Sequence, residues 1–191
     1  MAYLAHCLFA MPMPRPDALK KALSRTPQPG DVLLFYNATG LNRFIAWFTG
    51  SPFYHVALYA GQGDVIEARP RGVVRRNLRR REGGHDFLVV PTSEGAGKAA
   101  LAWAEAKVGA GYDRLDILIL ILERIFLHLH INYTPRDKFA CGEFVARAFE
   151  EAGEPLFPDK AAGEVVPGDF AHLLPDKEGV LAALRVRPLQ K

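Results

Sequence analysis

The chain has 191 residues, of which 49% are hydrophobic, 10% aromatic and 24% charged; this suits one domain with a sizeable core and excludes a disordered chain. A formal net charge of +3 and a pI near 8.9 are too mild to argue for a nucleic-acid partner without a focused basic patch. Two cysteines, Cys7 and Cys141, allow at most one disulfide and exclude a four-cysteine zinc site.

The opening, MAYLAHCLFAMPMPRP, carries an apolar run with no basic residue before it. The run ends in prolines rather than at a small-residue cleavage site, so no secretory signal is expected. Residues 1–29 read as an arm containing a short helix from Asp17 to Ser24, stopped by TPQPG. Gly30 and Asp31 then introduce VLLFY, whose length and β-rich content suit a buried strand. Leu41 to Phe48 has helical spacing and closes on the turn residues of TGSP. Four more short β-rich runs follow, HVALYAG from His55, DVIEA from Asp64, GVVRRNL from Gly72 and DFLVVP from Asp86. Their hairpin spacing predicts an antiparallel sheet or half-barrel of about five strands packed against helices, an α+β fold.

From Ser93 to Val108 the pattern turns helical, with Gly109 placed to end the helix. Leu115 to Ile131 is greasy but interrupted by Asp116, Glu123, Arg124, His128 and His130. That falls short of about 18 unbroken apolar residues, so a mostly buried helix is expected rather than a membrane span. A helix opening near Cys141 puts Phe144, Val145, Ala148 and Phe149 on one face before Gly153. From Pro155 the remainder reads as a wrapping tail, with residues 30–175 as the domain and 176–191 packing on it.

The chemistry centres on Cys141. With Asp137 or a neighbour as cap, the thiol falls in the first helical turn, where unpaired amides and the helix dipole favour a thiolate. Taken alone it fits a small buried residue equally well, because free cysteines are among the most buried side chains. His55 changes the balance, since a polar ring at the start of an apolar strand needs a partner. Strand alternation puts His55, Ala57 and Tyr59 on one face, and Glu67 lies on the next strand beyond the turn at 61–64. If that hairpin pairs, the carboxylate neighbours the imidazole, fixes its tautomer and favours its charged form. Glu67 by itself would pass for a solvated strand residue.

Other features read as structural. Arg69, Arg71, Arg75, Arg76, Arg79, Arg80 and Arg81 could hold carboxylates, lipid phosphates or nucleic acid, but a basic sheet edge that discourages strand-to-strand aggregation explains them better. The absence of interleaved aromatics weighs against single-strand binding. His128 and His130 project to different helix faces and make a poor metal pair, so no metal and no cofactor are expected. His6 and Cys7 read as packing residues, and His85 and His172 as loop residues without a motif. The apolar 115–131 segment and the Arg69–Arg81 patch are the surfaces open to a membrane or a larger assembly.

Gly30-Asp31-VLLF, then HVALYAG, VIEA and GVV, resemble in kind and order the core of NlpC-type papain-like hydrolases. There the cysteine helix usually comes before the Gly-Asp strand; here the suitable helix comes after the sheet, so the chain looks circularly permuted. TGS-x-x-x-HVALY, VIEA and CGEFVARAFEEAG are similar to the permuted YiiX-like branch and, more distantly, to the lecithin retinol acyltransferase group. The resemblance covers about residues 30–153, with Pro167-Gly168-Asp169 as a further match, and departs in having Gly142 where relatives commonly carry serine. It implies Cys141 as nucleophile, His55 as base and Glu67 as the residue orienting the ring. The oxyanion would be met first by the Cys141 amide, with Tyr133 or Tyr36 as candidate side-chain donors. A cysteine amidase or peptidase acting on bacterial cell-wall peptide is the implied activity. The alternatives are a lipid acyl hydrolase or acyltransferase, and a non-catalytic module of a bacterial or phage assembly, against which the intact Cys, His and Glu set argues.

Overall fold

The computed structural model describes residues 25–36, 51–69, 72–78, 86–109 and 140–186. The helices expected at 17–24, 41–48 and 115–131 lie outside these residues, as do Cys7, His6, His85, His128, His130, Tyr133, Arg71 and Arg79 to Arg81.

Five strands form one antiparallel sheet: β1 (Val32–Phe35), β2 (His55–Gly61), β3 (Asp64–Arg69), β4 (Gly72–Asn77) and β5 (Phe87–Val90), in the order β4-β3-β2-β1-β5. With the helices packed on it, the fold is of the α+β class. Strand alternation divides the side chains between two buried faces. Val32, Leu34, Val56, Leu58, Ile66 and Leu88 face the helices, whereas Leu33, Phe35, Ala57, Val65 and Val89 build a second cluster on the opposite side.

The Gly30-Asp31 pair is the sheet's anchor rather than part of its chemistry. Asp31, 4% exposed, accepts hydrogen bonds from the amides of Gln28 (2.9 Å) and Thr92 (3.0 Å), tying the entry of β1 to the exit of β5. Gly30 has φ +95°, and a Cβ there would lie 2.5 Å from the Gly97 carbonyl oxygen. Only glycine combines that backbone angle with that approach.

Helix α1 (Glu94–Ala106) is capped by Ser93, whose hydroxyl accepts from the Ala96 amide at 3.3 Å. It lays Ala96, Ala100 and Ala104 on the core, and Trp103 meets Phe144 of helix α2 (Cys141–Glu151) with ring centroids 5.7 Å apart. Phe144, Val145, Ala148 and Phe149 of α2 are fully buried, the face the periodicity predicts. Gly153, at φ +79°, ends the helix by donating to the Glu150 carbonyl.

The stretch read as a wrapping tail contains more regular structure than expected. Two 3₁₀ segments, Ala162–Glu164 and Pro167–Leu173, precede helix α3 (Lys177–Val186), whose Val180 is fully buried in the larger core. Its proline content obscured this, yet Pro167 stands in the first turn, where its missing N–H costs nothing. Asp169 fastens the segment by accepting from the Val166 amide (2.8 Å) and pairing with Lys160 (2.6 Å).

Candidate active site

Three elements bring the predicted residues together. β2 and β3 pair from the turn as far as Leu58 and Ile66. Beyond that pair the Val56 amide favours charge on the Cys141 sulfur, so the first turn of α2 meets the sheet where the β2–β3 ladder opens. Val56 points into the core, so its neighbour His55 points the other way and stacks on Phe35 with ring centroids 5.6 Å apart.

Glu67 is fully buried, unlike the solvated strand residue for which it would pass by itself. A carboxylate without solvent needs donors on both oxygens. Oε2 meets Nε2 of His55 at 2.7 Å, and Oε1 accepts from Nε of Arg69 at 2.7 Å, with Nε of Arg76 4.0 Å away. The His55 side chain keeps 13% exposure. Nε2 is committed to the carboxylate, which leaves Nδ1 as the ring nitrogen to meet the thiol.

Burial pushes the Cys141 thiol up, but the charge and hydrogen bond of His55, together with the amides of Val56 and Gly142, outweigh it and hold the thiol below its ordinary range. Burial likewise pulls His55 down. The thiolate's charge and hydrogen bond, followed by those of Glu67, outweigh that and hold the imidazole above its ordinary range. Opposite shifts on the two groups both favour the thiolate–imidazolium form of the pair. Because the two titrate together, they are one system with two apparent steps.

The cap of α2 differs from expectation. Ala140 is the N-cap and makes no side-chain capping bond. Asp137 lies outside the described residues. The Gly142 amide of the first turn is among the groups that favour charge on the Cys141 sulfur. Gly142 leaves no room for a side chain: a Cβ there would run into the Val165 carbonyl oxygen and lie 3.2 Å from the Cα of Val166. Of the two candidate oxyanion donors, Tyr36 is 3% exposed in the larger core, and Tyr133 lies outside the described residues.

The arginine-rich stretch divides. Arg69 and Arg76 face Glu67, whereas Arg75, on the other face, pairs with Asp64 (3.0 Å) and with Glu105 of α1 (3.1 Å). The reading of these residues as one sheet-edge group therefore fails for Arg69, because strand parity turns it toward the buried carboxylate. Sequence reasoning also passed over Glu143, two residues along α2 from Cys141, 8% exposed and paired with Arg147 at 3.0 Å; the i,i+4 spacing is its visible signal. His172 is exposed and bonded to Lys177 at 2.8 Å. Among the described residues no group of three or more side chains could hold a metal, and no helix is long and apolar enough to cross a membrane.

No protein-family model matches the chain, and a search of curated proteins returns no match.

Proposed function

We propose that the protein is a cysteine hydrolase of the amidase or peptidase kind, with Cys141 as nucleophile, His55 as acid–base and Glu67 as orienting carboxylate. The observation that carries this reading is the Cys141–His55–Glu67 contact chain at the start of a helix, with thiol and imidazole shifted in opposite senses. The order of histidine strand and later cysteine helix is that of a circularly permuted papain-like enzyme. The cell-wall preference comes from the resemblance to the NlpC-type and YiiX-like proteins.

The thiolate forms a bond to the carbonyl carbon of an amide, and the carbonyl's π electrons move onto oxygen. The Cys141 amide, at the start of α2, is the donor we assign to that oxyanion. As the tetrahedral species collapses, the C–N bond breaks and His55 Nδ1–H passes its proton to the leaving amine. Neutral His55 then takes a proton from water, which attacks the thioester and returns the thiolate and the acid product. Through both halves Glu67 holds Nε2–H, so the ring turns neither its proton nor its edge away.

Incubation with muropeptides and, separately, with phospholipid vesicles, read by mass spectrometry, tests the reading. The native protein is expected to release peptide fragments from muropeptides, and Cys141→Ser to release none. Fatty acid from vesicles instead would replace the amide substrate with a lipid ester. Turnover of neither, or turnover that survives Cys141→Ser, would count against the proposal.

A further inference from the structure

We infer that Arg69 is a fourth, positioning member of this site: its Nε–H fixes Oε1 of the buried Glu67 so that Oε2 is held on His55 Nε2. The inference rests on the reading of Cys141 as a nucleophile and adds a residue to it.

Glu67 has no solvent exposure, so nothing outside the protein stabilises its charge or orients its oxygens. Each oxygen has its own donor at 2.7 Å, the imidazole on one and the Arg69 guanidinium on the other. A carboxylate gripped at both oxygens cannot rotate about its last bond without breaking a charge-assisted hydrogen bond. The strands prepare this contact. Arg69 shares strand parity with Glu67, and its partner across the β3–β4 ladder is Gly72, which has no side chain to occupy the space. Arg76 sits beside Val74, the cross-strand partner of Glu67, and its Nε stays 4.0 Å from Oε1, beyond hydrogen-bond range. Arg76 therefore adds charge without adding direction.

Losing Arg69 removes a charge-assisted hydrogen bond from Oε1 of a buried carboxylate and leaves it a smaller compensating charge. Such a group takes up a proton or turns, and in either case His55 loses the anion that steadies its charged form. The thiolate–imidazolium pair then gives way to neutral thiol and neutral imidazole. Removal of the guanidinium also relieves a repulsion on the imidazolium, which acts in the opposite sense, so the direction of the shift is decisive.

The test is the rate at which iodoacetamide alkylates Cys141 as a function of pH, resolved by peptide mass spectrometry on the full chain. In Arg69→Met the rate at about pH 6 is expected to fall about tenfold, and the half-maximum to move to higher pH. Arg69→Lys, which restores the charge with a different placement, should lie between, and Arg76→Gln should move the profile less than Arg69→Met. A profile for Arg69→Met that superimposes on the native one or moves to lower pH would overturn the inference, as would an equal shift in Arg76→Gln. Should Arg69→Met not fold, as judged by circular dichroism, Arg69→Gln carries the same expectation and the same contradiction. A native protein whose Cys141 is itself slow at about pH 6 would instead overturn the nucleophile reading, so the two failures are distinguishable.

Discussion

At the scale of single residues, the candidate site is balanced because each group's least favourable property is answered by its neighbour. Burial opposes charge on both Cys141 and His55, yet each supplies the counter-charge the other needs. Removing one partner therefore exposes the bare effect of burial on the other. In Cys141→Ser the largest raising influence on His55 is gone, while burial and Glu67 remain; its titration midpoint, followed by NMR of the imidazole protons, should fall below that of the native protein. A midpoint that stays in place would mean that the thiolate is not the ring's counter-ion. The same shifts set the pH dependence expected of the proposed hydrolysis. Turnover needs a thiolate and a protonated His55 together, so it should rise as pH climbs through the lowered thiol step and fall through the raised imidazole step. The kcat/KM profile on whichever amide is cleaved checks this, and a single rising limb would contradict it.

At the scale of elements, the cysteine helix is placed by one close approach. Val165 closes on the first turn of α2 at Gly142, and Asp169 and Lys160 fasten the segment that carries it. Gly142→Ala is expected to cost about 1–3 kcal/mol, as overpacking does, and to slow alkylation of Cys141 by displacing the turn that presents it. Thermal melts together with the alkylation rate check both; an unchanged melting temperature would show that the Val165 segment yields freely. The strands and both described long helices were legible in the sequence because their signals are local: alternation in HVALYAG, alanines at helical spacing after Ser93, a phenylalanine face after Cys141. The His55–Glu67 meeting was legible because one short turn joins their strands. What escaped depends on distant chain. Nothing near Gly142 announces Val165, and Arg69 was submerged among six other arginines because composition hides the strand parity that separates it from Arg75. Helix α3 escaped because the prolines ahead of it mimic a loop.

At the scale of the whole molecule, the proposed nucleophile from one helix, base from one strand and carboxylate from the next depend on a single packed unit. The sheet is buried on both faces, with α1 and α2 on one side and the Leu33, Phe35 and Val89 cluster on the other. Such a core has little room for one layer to open alone. Rapid, selective alkylation of Cys141 should therefore be lost in the same urea transition that removes far-ultraviolet circular dichroism; an earlier loss would show that the site opens separately from the sheet. The account as a whole stands on Cys141 being a thiolate at near-neutral pH because His55 is charged beside it. The most direct measurement is the alkylation rate of Cys141 against pH, in the native protein and in His55→Ala, with Cys7 followed in the same reaction. The account predicts fast labelling of Cys141 at about pH 6, slow labelling of Cys7, and in His55→Ala a Cys141 profile moved up to the ordinary thiol range, about pH 8.5, or beyond it, since burial then acts unopposed by the imidazolium. Equal, slow labelling of both cysteines in the native protein, or a Cys141 profile indifferent to His55, would contradict it.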